Sequence, residues 1–223
     1  MYEMIAFDVA GTTVKDDGLV IRAFERALNF AVPELWQEKR TDFIQYAQDT
    51  MGQSKIEVFR ALLGRADLAE KANSAFEGAY LDLVLTDGVE PIAGARNAIE
   101  ALSAKGVATV LTTGFSRITL NAILKSLGWE GLVDATVVPA EAGRGRPSPA
   151  MLNLAAKQLG ISNTENCVVV GDTISDMEAG VSFGAEVRIG VLTGAHDQMS
   201  LASAGATAVL SSVAEIPAFL FNS

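Results

Sequence analysis

A chain of 223 residues, 49% apolar and 20% charged, can bury a full core, alone or with a smaller inserted domain, and this balance excludes intrinsic disorder. Lys and Arg total 17 against 27 Asp and Glu, a formal charge of −10 that repels nucleic acid and anionic lipid, so the expected partner is a small molecule. The start Met1-Tyr2-Glu3-Met4 lacks the features of a signal peptide, no run nears the ~20 apolar residues of a membrane helix, and the lone Cys167 rules out an intrachain disulfide; the expectation is a cytoplasmic protein with a buried thiol in Cys167-Val168-Val169-Val170.

In chain order, an apolar run at 2–7 predicts the first strand. From about 19 to 85 no strand-like run occurs, only helical periodicity in pieces such as 19–30, 56–63 and 69–85. Beyond it, short β-branched runs at 107–111, 135–138, 167–170 and 187–191, with a last candidate at 207–210, alternate with helical stretches at 94–105, 117–127, 149–159 and 175–183. Gly106, Gly128, Gly160 and Gly184 stand where those helices should stop. The alternation predicts an α/β fold: a doubly wound, Rossmann-like parallel sheet with a helical cap inserted after the first strand. The expected division is a core of 1–17 and 87–223 and a cap of 18–86, hinged at Gly18 and Thr86-Asp87-Gly88.

In open α/β sheets ligands lie outside the carboxyl ends of the strands, so the chemistry should follow each apolar run. Those positions hold Asp8-Val9-Ala10-Gly11-Thr12-Thr13, Thr112-Thr113-Gly114, Gly145-Arg146-Pro147 and Gly171-Asp172-Thr173-Ile174-Ser175-Asp176. Asp8 or Asp172 alone could be an ordinary strand-end residue; the ordered set is specific.

The set resembles the four motifs of the haloacid dehalogenase superfamily along nearly the whole chain. The resemblance implies a hydrolase in which Asp8 attacks phosphorus and is transiently phosphorylated. It implies Mg²⁺ held by the Asp8 carboxylate, the Ala10 carbonyl and Asp172, with Asp176 a ligand or the holder of a metal-bound water. Arg146, where the family usually has Lys, would clamp phosphoryl oxygens and offset the charge of Asp8. Thr113, or Thr112 if the strand ends one residue earlier, would donate a hydroxyl, and the N–H groups of Val9, Ala10 and Gly114 would complete the cradle. These roles fit the physics, because a carboxylate attacking an anionic phosphoryl group needs neutralising charge at contact distance.

Most phosphatases of the superfamily carry a general-acid aspartate two residues after the nucleophile, and here that residue is Ala10. The phosphonoacetaldehyde hydrolases, or phosphonatases, lack it too: a cap lysine forms a Schiff base with the substrate aldehyde, and the C–P bond breaks without an oxyanion to protonate. This chain is similar to that branch at Ala10-Gly11-Thr12-Thr13, at Met51-Gly52-Gln53-Ser54-Lys55-Ile56, at Thr112-Thr113-Gly114-Phe115-Ser116-Arg117 and around Arg146 and Asp172. Lys55 falls at the Schiff-base position; as residues alone it reads equally as an anion clamp or a solvated lysine at a helix start. The chain departs from the branch at Val58, where a His is usual, at Gly18 and Leu19, where a Cys is usual, and at Val9, where an aromatic is usual. His196 sits in a loop, Arg60 and Arg65 read as solvent-facing, and Met51 and Phe59 read as cap core or lid. The expected substrate is a small phosphorylated molecule, either phosphonoacetaldehyde or an analogue. The alternatives are an ordinary phosphomonoesterase of the phosphoglycolate or sugar-phosphate type and, remotely, a catalytically idle phospho-ligand-binding domain. By analogy two copies would pair through the cap.

Overall fold

The computed structural model describes residues 2–221. Six parallel strands form one sheet: β1 (Met4–Asp8), β2 (Ala108–Thr112), β3 (Ala135–Val137), β4 (Cys167–Gly171), β5 (Val187–Val191) and β6 (Ala208–Leu210), in the order β3-β2-β1-β4-β5-β6. This is the doubly wound order, and the chain reverses direction across the sheet between β1 and β4. The central strands β1 and β4 are buried along their whole length, which is why they read as continuous apolar runs. Successive side chains of β1 point to opposite faces: Met4 and Ala6 join one apolar layer, Ile5 and Phe7 the other. The first and second strands end one residue later than the apolar runs suggested, so Asp8 and Thr112 are themselves strand residues, paired in register.

Four helices separate β1 from β2: α1 (Leu19–Ala31), α2 (Pro33–Asp49), α3 (Lys55–Leu63) and α4 (Ala66–Asp87). Leu19, Val20, Ala23, Phe24, Ala27 and Leu28 give α1 a buried stripe at helical spacing, and α1 lies along α4. An aromatic chain holds this layer together and ties it to the sheet domain. Phe24 stacks on Phe59 at 4.9 Å between centroids, Phe59 meets Phe76, Phe76 meets Tyr80, and Tyr80 lies 4.4 Å from Phe115 beyond β2. Phe59 is therefore core. The two segments joining the insertion to the sheet run side by side, with Ile92 N–H donating to the Thr13 carbonyl at 2.9 Å and Lys15 N–H to that of Glu90 at 2.9 Å. Gly18 (φ 75°) and Gly88 (φ 79°) flank these segments with positive φ and open space around them.

The sheet's other helices are α5 (Ala95–Ser103), α6 (Arg117–Leu127), α7 (Pro139–Ala142), α8 (Ala150–Gln158), α9 (Ile174–Phe183), α10 (Gln198–Ser203) and α11 (Ile216–Phe221). Ile99, Leu102, Leu120 and Ile123 of α5 and α6 cover one face, and Met151, Leu152, Ala155, Ala179 and Phe183 of α8 and α9 cover the other. Cys167 is fully buried, its thiol pushed up to about 11 by burial, as a core thiol should be. Among the described residues no helix is long and apolar enough to cross a membrane.

Candidate active site

Where the strand order reverses, the ends of β1, β2 and β4 surround a cavity of about 480 Å³. Asp8, the last residue of β1, is buried in its wall. The turn behind it is tied down by the Val9 carbonyl, which accepts from the N–H groups of Thr12, Thr13 and Val14 at 3.4, 3.0 and 2.8 Å. Gly11 has φ 87°, and a Cβ there would run into the Asp172 carboxylate, so only glycine allows this turn beside that residue.

Asp172 follows β4 and is held on both oxygens. Oδ1 accepts from the Thr12 hydroxyl at 2.8 Å, and Oδ2 accepts from Ala195 N–H at 2.8 Å. Asp176 sits in the first turn of α9 in a capping box: its Oδ2 accepts from Thr173 N–H at 3.1 Å and the Thr173 hydroxyl at 2.5 Å, and its own N–H donates to that hydroxyl at 3.2 Å. Arg146 reaches between the carboxylates, pairing with Asp8 at 2.5 Å and with Asp176. All four side chains are buried.

Three carboxylates whose oxygens lie within 4.8 Å of one another thus face one guanidinium. Burial, and then the charge of Asp8, push Asp172 up to about 7. Burial likewise raises Asp8, against the opposing pull of Arg146. Hard oxygen donors carrying an excess of negative charge fit a divalent cation. A carboxylate raised from 3.8 to about 7 on folding contributes stability below pH 4 that is lost as pH rises through 7. Chelated protein should therefore melt higher near pH 5 than near pH 8, and a divalent cation should raise Tm most at the upper pH, the binding itself stabilising the fold by about 2.7 kcal/mol at a hundredfold excess over Kd. Calorimetry with and without chelator measures this; a Tm indifferent to divalent cations would contradict the reading of the cluster.

From the insertion, the loop before α3 closes the cavity. Met51, Gly52, Gln53 and Lys55 line it opposite Asp8, Ala10, Gly11, Thr113, Gly114, Phe115, Arg146 and Asp172. Contact between loop and sheet domain is close: a Cβ on Gly52 would strike the Thr173 side chain, and one on Gly114 would come within 3.0 Å of the Gln53 carbonyl. Lys55, the first residue of α3, is buried, which overturns the solvated reading. Burial pushes its amine down to about 8, although the charges of Asp16 and Asp8 pull the other way. Lys55 and Arg146 also line a second, larger cavity of about 1110 Å³.

The candidates from the strand-end rule therefore meet, with two qualifications. Thr112 is buried within β2 opposite Asp8 and does not line the cavity, whereas Thr113 does; Asp176 does not line the cavity either, but its carboxylate pairs with Arg146 and lies within 4.8 Å of those of Asp8 and Asp172. His196 is half-buried, its Nδ1 accepting from Ile174 N–H at 3.4 Å at the start of α9, and is not in the cavity wall. Arg60 and Arg65 pair with Glu57 and Asp67 on the surface. Sequence reasoning missed the groups that hold Asp172, the Thr12 hydroxyl and the Ala195 backbone N–H, and it missed Asp16. The capping box of Thr173 and Asp176 was legible as Thr-x-x-Asp before a helix.

The family model of the haloacid dehalogenase-like hydrolases matches residues 2–184. The chain belongs to this family. It is 30% identical over 216 residues to the phosphonoacetaldehyde hydrolase of Bacillus cereus, covering 87% of this chain and 77% of that one. In fold it resembles a hydrolase from Pseudomonas syringae (TM-score 0.85, 23% identity, 99% of this chain and 98% of that one). It also resembles a phosphonoacetaldehyde hydrolase-like protein from Oleispira antarctica (TM-score 0.81, 22% identity, 99% and 92%). This haloacid dehalogenase-like protein is a phosphohydrolase with a buried aspartate cluster suited to a metal ion.

Proposed function

We propose that the chain is a Mg²⁺-dependent phosphonate hydrolase acting on phosphonoacetaldehyde or a close analogue through an aspartyl phosphate on Asp8 and a Schiff base on Lys55. The observation that carries this reading is a buried amine and a buried carboxylate lining one small cavity, with a methyl group, Ala10, where an acid would be needed to release an alkoxide. The 30% identity to a phosphonoacetaldehyde hydrolase supports it.

Mg²⁺ would be held by the Asp8 carboxylate, the Ala10 carbonyl and Asp172, with Asp176 a further ligand or the holder of a bound water; when bound it neutralises the nucleophile and phosphoryl oxygens. Arg146 orients the phosphoryl group and withdraws charge from it, and the Thr113 hydroxyl and Gly114 N–H bind further oxygens. The Lys55 amine condenses with the aldehyde to an iminium. Asp8 attacks phosphorus, and the electron pair of the breaking C–P bond passes into the iminium to give an enamine, so no oxyanion needs a proton at Ala10. Residues 18–86 act as the cap that excludes water from this step, closing on a core of 1–17 and 87–223; α4 runs one residue past that boundary, to Asp87.

Borohydride reduction in the presence of phosphonoacetaldehyde, followed by mass mapping, tests the reading. An adduct on Lys55 that is absent in Lys55→Arg is expected; no adduct, together with hydrolysis of phosphoglycolate or sugar phosphates, would move the assignment to a phosphomonoesterase. Only the neutral amine attacks, and with Lys55 near 8 about a tenth of it is neutral at pH 7. The rate of adduct formation should therefore climb about tenfold from pH 7 and level off above 8 to 9. A rate that falls over this range would contradict the role of the amine.

A further inference from the structure

Condensing an amine with an aldehyde moves protons twice, and neither Ala10 nor the buried Val58, three residues after Lys55, can move one. The cavity offers a third place to look. Asp16, on the segment between β1 and α1, lines the same wall as Lys55. Its carboxylate is fixed by the start of α1, with Oδ1 accepting from Val20 N–H at 3.1 Å. Of the charges acting on Lys55, that of Asp16 is the strongest, ahead of Arg146, Asp8 and Glu77. Among the described residues no ion pair of 4.0 Å or less joins the two, although both line the cavity.

The other charged groups near Lys55 are engaged, and the buried Tyr80 hydroxyl, which the charge of Asp16 also reaches, has no hydrogen-bond partner among the described residues. Asp8 is paired with Arg146, Lys15 with Glu90 at 2.6 Å, and Glu77 with the Thr119 hydroxyl at 2.6 Å and Ser116 N–H at 3.4 Å. Asp17 is exposed. Lys55 and Asp17 are the charged groups that act on Asp16.

We propose that Asp16 is the general acid–base for iminium formation and hydrolysis at Lys55. This rests on the Schiff-base reading above. The Asp16 carboxylate takes a proton from the Lys55 ammonium; the freed amine attacks the aldehyde carbon, forming the N–C bond as the carbonyl π pair moves onto oxygen. A nitrogen proton passes to that oxygen, giving the carbinolamine. Asp16 then returns its proton to the hydroxyl, which leaves as water while the nitrogen lone pair closes the C=N bond. The balance is ammonium plus aldehyde to iminium plus water, with Asp16 ending as the carboxylate it began as. After C–P cleavage the same group serves the reverse sequence. Burial holds the Asp16 carboxyl above the usual carboxylate range, the direction that proton return requires.

The test is the rate of borohydride-trapped adduct on Lys55 with phosphonoacetaldehyde in wild type, Asp16→Asn and Asp16→Ala, the last with and without formate. Asn keeps an acceptor for Val20 N–H, and thermal melts check that both variants fold. Trapping roughly 10²- to 10⁴-fold slower in both variants, with formate restoring Asp16→Ala, is the expected result. Wild-type trapping rates in a folded Asp16→Asn, or slow trapping that formate does not restore in a folded Asp16→Ala, would overturn the role of Asp16 and leave Lys55 standing. Absence of any adduct in wild type would overturn both.

Discussion

Arg146→Met should destabilise the chelated protein by about 3–5 kcal/mol, the range for stripping one partner from a buried ion pair. The guanidinium is buried and holds both Asp8, at 2.5 Å, and Asp176. Methionine fills much of the same volume but leaves three carboxylates within 4.8 Å with no cation among them. The cost should grow with pH as those carboxyls lose protons, and a divalent cation should recover part of it, because the ion then supplies the missing positive charge. Denaturant titrations at pH 5 and pH 8, with and without Mg²⁺, measure this. A loss below about 1 kcal/mol that does not vary with pH would mean that Arg146 does not hold the cluster together.

Asp8→Asn should have the opposite profile. The amide keeps the shape and an acceptor for Arg146, and it removes a carboxylate whose burial disfavours its charge, so Tm without divalent cations should hold or rise. Turnover should fall by ~10⁴-fold or more, because an amide oxygen cannot form the acyl phosphate on which both half-reactions depend. Equal loss of activity and stability would point to a structural role for Asp8.

The sheet and the rim of the site were legible in the sequence because a parallel sheet buried on both faces needs short unbroken apolar runs, and such runs mark where the chemistry begins. Asp8, Thr113, Arg146 and Asp172 were found that way. α2 was not resolved as a helix of its own, since only Trp36, Phe43 and Ala47 of its 17 residues are buried and Lys39 interrupts its helical backbone, so the apolar period is nearly absent. α7, α10 and α11 span six residues or fewer, too short to show a period. The burial of Lys55 was illegible for another reason: it arises when the loop before α3 lies against Thr173 and Gly114, a contact between segments about 60 to 120 positions apart in sequence. Asp16 was missed on the same ground, because its place in the cavity comes from how the insertion folds back over the strand ends.

An acid-quenched single turnover with phosphonoacetaldehyde and Mg²⁺, digested and mapped by mass spectrometry, tests the central claim most directly. One phosphoryl group should appear on the peptide carrying Asp8 and should be lost in Asp8→Asn; a phosphoryl group on another residue, or turnover with Asp8 unmodified throughout, would contradict the account.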